Sequence, residues 1–222
     1  MTKRTYIGVL TVALAVVLAA GGLLASNMGF KLNYPLLAPQ VGVSATGTST
    51  IALPDNRQAG VNAASSLMND IGLASVANVQ KFIEASDGLQ LYTGRKGTPG
   101  ADFALAAGEG YFVKMNTTVN YIVVGSHDPS FANPLNAPGG GSATGTNLFS
   151  YPYHSTAPTA SALMNDIGLA NVANVQKFLK ATDGLQLYTG RKGTPGADFA
   201  LVPGEAYFVK MNTTVNYIPS HY

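Results

Sequence analysis

The residues of this chain that could do chemistry are a set of carboxylates, each occurring twice. They are Asp70 and Asp166, Asp87 and Asp183, Asp102 and Asp198, and Glu109 and Glu205. Two carboxylates facing each other can cut a glycosidic bond, and carboxylates with backbone carbonyls can hold calcium. Neither use has a signature here: no DxDxDG run exists, and Asp87 and Asp183 stand before glycine, where a hairpin turn accounts for them. The expectation is no cofactor, with calcium the one metal these residues leave open. The three histidines, His127, His154 and His221, have no counterpart at the spacing that relates the carboxylates, so they are expected at the surface. GxSxG is missing, and there is no cysteine. That removes the nucleophile elbow, thiolate catalysis, Cys-ligated zinc and disulfides. No reaction centre is expected.

The most binding-like surface is the segment GRKGTPG, at 94–100 and again at 190–196. It lacks the GxxxxGK[ST] spacing and strand-to-helix setting of a phosphate loop, so it reads as a long exposed hairpin loop. It places Arg95 and Lys96 beside Tyr92, and Arg191 and Lys192 beside Tyr188. Those six residues are the candidate ligand-binding set, because scaffolds often present recognition groups on such loops. The absence of tryptophan weighs against a sugar platform. Asn116-Thr-Thr and Asn212-Thr-Thr fit the N-glycosylation pattern, but a turn explains them equally well.

The elements that position these residues come from an internal repeat. Residues 67–122 and 163–218 align at a constant offset of 96, with 49 of 56 positions identical. The match continues upstream more weakly, as PLLAP at 35–39 against PLNAP at 134–138 and SATGT at 44–48 against SATGT at 142–146. A unit of this length is a small domain rather than a solenoid turn. The expected organisation is a leader over 1–26, a β-rich repeat over 27–122, a linker over 123–130 and a second repeat over 131–222.

In the second repeat a strand is expected over 147–153, with Pro152 at an edge or bulge. Thr159 caps a short helix running to Ile167, and Gly168 ends it. Strands over 174–181 and 185–189 form a hairpin. A three-residue loop with Gly184 in the left-handed region collects Val175, Leu179, Ala181, Leu185 and Leu187 on one apolar face. It leaves Gln176, Phe178, Lys180, Gln186 and Tyr188 outside. The Glu84-to-Lys180 difference between copies then sits on the solvent face, where a charge reversal is cheap. Strands over 206–211 and 214–218 complete the unit. The fold class is mainly β with one short helix per repeat, as two tandem small sandwiches or partly open barrels behind an N-terminal apolar helix.

The leader has Lys3 and Arg4 before an uncharged stretch over 6–25. That is the form of a secretory signal. Twenty apolar residues also span a bilayer, so a retained anchor competes with cleavage. The apolar stretch has no early glutamate, as a type IV pilin leader would, and without cysteine there is no lipobox. Without Lys3 and Arg4 the 13 basic residues fall to 11, matching the 11 acidic ones. A neutral body offers no long-range attraction to nucleic acid, which is excluded as a partner. Membrane contact is expected only through residues 6–25, if they are retained. A cysteine-free exported chain points to a bacterial source.

The order N-L-x-S-x-P (Asn147 to Pro152), LxxxIG (Leu163 to Gly168), VxxVxxF (Val172 to Phe178) and FxLxPGExYFV (Phe199 to Val209) resembles tandem β-rich repeats of secreted and surface proteins of Gram-negative bacteria. The first copy departs from it, with Thr50-Ile-Ala-Leu-Pro54 for the opening strand and Ala107 for Pro203. The resemblance implies an extracytoplasmic module and supplies no catalytic residues. The function expected is an exported structural or adhesive protein, extracellular, on the cell surface or in the periplasm. Its partner is itself, as a fibre or layer, or a surface or matrix component. The alternative is a carbohydrate-type ligand-binding module.

Overall fold

The computed structural model describes residues 29–57, 60–94, 100–126, 128, 130–190 and 196–220. The expected leader and the loop residues Arg95, Lys96, Arg191 and Lys192 lie outside them. The described chain is mainly β, with two short helices and several sheets, none of them closed. No described helix is long and apolar enough to cross a membrane.

In chain order the elements are β1 (Phe30–Leu36), β2 (Thr48–Ala52), β3 (Asn56–Arg57), α1 (Ala64–Ile71), β4 (Val76–Ile83), β5 (Gly88–Tyr92), β6 (Gly110–Met115) and β7 (Val119–Ser126). The second repeat gives β8 (Asn133–Leu135), β9 (Thr146–Ser150), α2 (Ala160–Ile167), β10 (Val172–Leu179), β11 (Gly184–Tyr188), β12 (Ala206–Met211) and β13 (Val215–Tyr217). Each repeat builds one four-stranded antiparallel sheet, in the orders β2-β6-β4-β5 and β9-β12-β10-β11. The upstream segment pairs separately: β1 and β3 flank β7, and β8 pairs β13. Residues 123–126, expected in a linker, continue β7.

Both faces of each four-stranded sheet are covered. On one face lies the helix. The apolar side of α2, with Ala160, Leu163, Met164 and Ile167, packs into a core with Val175, Tyr207 and Val209. Thr159 caps α2 by accepting from the Ala162 N–H at 3.2 Å. Asp198 accepts from the Ser161 N–H at 2.9 Å, so a distant loop satisfies another orphan amide of the first turn. On the other face the two repeats meet. Phe112, Leu148 and Ala206 are buried there against Phe82, Phe178 and Phe208. The rings pair crosswise: Phe82 on Phe208 at 5.3 Å and Phe112 on Phe178 at 5.5 Å. A Cβ on Gly110 would overlap the Ala206 methyl, so the close approach of β6 to β12 requires glycine on one side.

Backbone hydrogen bonds fasten the repeats reciprocally. Ala52 N–H donates to Gly204 O at 2.8 Å and Ser150 N–H to Gly108 O at 2.9 Å. Likewise Ala45 N–H donates to Lys180 O at 2.8 Å and Ala143 N–H to Glu84 O at 2.7 Å. The edge strands β2 and β9 are thereby tied to the opposite repeat.

This second covered face explains where the hairpin departs from expectation. Leu179 pairs with Gly184 and Phe178 with Leu185. The loop therefore holds four residues, Lys180 to Asp183, and Asp183 rather than Gly184 takes the positive φ of 53°. Asp87 does the same at 50°. Tyr188 joins Val175 on the helix-facing side, while Leu185 and Leu187 share the side of Phe178. The expected register rests on one buried face; with two, the aromatic rather than the leucines takes the interior. For the same reason Glu84 and Lys180 are not on an open solvent face but half-buried against the other repeat.

Candidate functional site

Of the expected binding set, Tyr92 and Tyr188 are placed, half-buried against the core of their own repeat. Their four basic companions fall outside the described residues. Four of the repeated carboxylates are committed within their own repeat. Asp70 accepts from the Tyr121 hydroxyl at 2.6 Å, and Asp166 accepts from the Tyr217 and Ser220 hydroxyls. Asp102 holds the Ser65 N–H at 3.0 Å, as Asp198 holds Ser161. His154 is buried, not at the surface as expected, and lies edge-on to Tyr153 at 5.1 Å. Among the described residues no group of three or more His, Asp or Glu side chains is placed to hold a metal.

The residues that do converge lie where the repeats meet, in two corners related by the repeat. Strand pairing fixes the correspondence. Tyr34 stands opposite Tyr121, as Asn133 stands opposite Tyr217. Thr50 stands opposite Phe112, as Leu148 stands opposite Phe208. One corner holds Tyr34, Lys177, Lys180, Glu205 and Tyr207. The other holds Asn133, Lys81, Glu84, Glu109 and Tyr111 in the same places.

The first corner is filled. The Tyr34 ring is buried, and Lys180 Nζ lies 4.6 Å from its centroid. That ammonium donates to the Tyr34 hydroxyl at 2.7 Å and stands 3.3 Å from Glu205 Oε1. Glu205 Oε2 accepts from the Tyr207 hydroxyl at 2.9 Å and lies 3.3 Å from Lys177 Nζ. Burial alone would raise the Glu205 carboxyl pKa, but Lys180 and Lys177 overturn this and hold it below the usual glutamate value. Burial pushes the Lys180 ammonium down, with Glu205 opposing. Burial also pushes the Tyr34 phenol far up, so it stays protonated as a donor.

The second corner is a cleft of about 380 Å³. Glu84, Glu109, Asn133, Asn136, Phe131 and Phe149 are among its lining residues. Glu109 is held by Lys81 at 2.7 and 2.9 Å and by the Tyr111 hydroxyl at 2.7 Å. Glu84 accepts one hydrogen bond, from Asn136 Nδ2 at 2.9 Å. Burial raises its pKa, Asn136 moderates the rise and Glu109 adds to it. Asn133, in place of Tyr34, donates to Gly108 O at 2.9 Å and leaves the ring's volume empty. Gly108 has no room for a side chain: a Cβ would stand 2.6 Å from Asn133 Nδ2, and its φ is +77°.

The repeat signal does not point to this site, because the site lies in what the two copies do not share. Only seven positions differ between 67–122 and 163–218. Four of them are Glu84/Lys180, Ala106/Val202, Ala107/Pro203 and Gly110/Ala206. The first three line the cleft, and the fourth sits at the contact of the two sheets. Comparison of the chain with protein-family models, with curated proteins and with solved structures finds no match.

Proposed function

We propose that this chain is an exported structural protein that assembles with copies of itself through its outermost strands. Its body is read as two tandem sandwich-like units fused through their inner faces, behind an N-terminal apolar segment that is a signal or an anchor. The carrying observation is the pair of outermost strands. The inner edge strands β2 and β9 are occupied by the opposite repeat, whereas β5 and β11 each end their sheet. Both have the same sequence, GLQLY. It holds no charge and no proline, the usual devices that protect a sheet edge. Leu89 and Leu185 are 56% and 51% exposed.

The segment suits self-pairing. Two GLQLY strands laid antiparallel about their glutamines set leucine opposite leucine on one side and glutamine opposite glutamine on the other. Gly100 and Gly196 come against the Leu91 and Leu187 carbonyls, so the return of each loop lies beside the far end of its strand. Two such edges per molecule make pairing propagate into a linear assembly. The test is sedimentation velocity with electron microscopy across a wide concentration range. Wild-type protein forms concentration-dependent filaments. Leu89→Lys stops at dimers joined through β11, and Leu89→Lys with Leu185→Lys stays monomeric. A wild type that remains monomeric throughout, or a double variant that assembles undiminished, refutes the reading.

A further inference from the structure

The two corners compare a site with itself under one fold. The filled corner carries two lysines and one glutamate, the cleft two glutamates and one lysine. The filled corner places an ammonium group between a carboxylate and an aromatic ring, both supplied by the chain. In the cleft four changes run toward leaving that place vacant. Tyr34 becomes Asn133, Val202 becomes Ala106, Pro203 becomes Ala107, and Lys180 becomes Glu84. Two further changes introduce rings: Phe131 stands where the twin has Leu32, and Phe149 where it has Ile51. Space is opened, the cation is replaced by a carboxylate, and one partly exposed ring, Phe131, is added to the wall.

We propose that this cleft binds a primary ammonium group from outside the chain, bridging the Glu84 and Glu109 carboxylates in the space that the Tyr34 ring fills in the other corner. Lys81 balances one of the two carboxylates, so a single cation makes the cleft neutral. Phe131, half-buried in the wall of the cleft, receives the alkyl stem. The occupant is a small alkylamine or the lysine side chain of another polypeptide; both present the same group. This site is separate from the outer strands, and its occupancy stands or falls without regard to assembly.

The test is isothermal titration of the full chain with n-pentylamine and with Nα-acetyl-lysine methylamide, each against a neutral isostere, pentan-1-ol and Nα-acetyl-6-hydroxynorleucine methylamide. Both ammonium probes bind saturably at one site, and the isosteres bind at least tenfold more weakly, the scale of one charge-assisted hydrogen bond. Tighter binding of pentylamine marks a free amine as the occupant, and tighter binding of the lysine derivative marks a polypeptide; either supports the assignment. Glu84→Gln weakens binding at least tenfold. Glu84→Lys and Asn133→Tyr, which copy the filled corner, abolish it. Thermal melts of each variant verify folding, and Glu205→Gln, in the other corner, serves as a variant that keeps the affinity. Equal affinity for ammonium and isostere, no saturable binding, or unchanged binding in folded Glu84→Lys overturns the proposal.

Discussion

Replacing Phe112 with alanine tests whether the two repeats stand or fall together. Phe112 is 6% exposed and lies at the centre of the inter-repeat cluster, 5.5 Å from Phe178 and 5.9 Å from Phe208. Truncating a buried phenylalanine costs about 3–5 kcal/mol through lost transfer energy and the cavity left behind. Phe82, Phe178 and Phe208 are only partly buried and can lean into the gap, which places this site near the lower end, about 3 kcal/mol. In a body of this size that is a fall in Tm of roughly 6–12 °C. Differential scanning calorimetry and urea unfolding read it. Because Phe112 belongs to the first repeat but contacts the second, wild type and variant should both unfold in one transition, shifted as a whole. Phe208→Ala should cost a similar amount, and the pair less than the sum, since the rings touch. A shift below about 2 °C, or two transitions of which one ignores the substitution, would refute the coupling, because a buried contact between cooperating units cannot be lost at so little cost.

Glu205→Gln leaves Lys180 half-buried without its anion and should destabilise by about 2–4 kcal/mol at neutral pH in urea titrations. The folded-state pKa of Glu205 lies below its unfolded value, so its stabilisation is present at neutral pH and fades as pH falls through the folded value. The difference between wild type and Glu205→Gln should accordingly shrink in acid. Glu84 has the opposite sign: its pKa is raised in the fold, so its ionisation opposes folding as pH rises. Glu84→Gln should raise stability at neutral pH, with the gain vanishing below the usual glutamate range, as parallel melts would read. At the helix starts, Thr159 accepts from Ala162 N–H while the matching Ala63 has no side-chain oxygen to do so. Thr159→Ala should cost about 1 kcal/mol and Ala63→Thr should gain about 0.5–1 kcal/mol, measured by chemical denaturation.

Local signals were legible wherever one residue type answers to one backbone need. Thr159 and Gly168 bound the short helix, and the residue run 206–211 forms a strand with the same ends. Elements fixed by distant partners were not legible. The hairpin register followed from pairing leucines with leucines, yet Phe178 and Phe208 are turned inward by the other repeat, and no pattern within a hairpin shows that its second face will be covered. The corners were hidden for a related reason. Lys180 and Glu205 are 25 positions apart, just outside the adjoining ends of the neighbouring strands β10 and β12, but Tyr34 lies in the other repeat, whose alignment to the second is weak at that point. Glu84 against Lys180 was visible as a charge reversal; only the packing shows that both positions face a buried corner.

The near-identity of the two repeats makes their few differences informative. Two copies of one sheet packed face to face present every interface residue twice, so an unfavourable like-charge arrangement would also occur twice. Making one position Lys180 and its twin Glu84 divides the roles. Lys180 ties Glu205 to Tyr34 and closes one corner, which fastens β1 of the first repeat to the second. With the repeats held there, and by reciprocal backbone hydrogen bonds on both sides, the opposite corner does not need to be filled for the fold to persist. It can keep a desolvated carboxylate with a single amide partner, an arrangement that costs stability and that a well-packed structural corner would have no reason to retain. The stability of one corner thus permits the openness of the other, and the difference in sign between Glu84 and Glu205 is where that division can be measured.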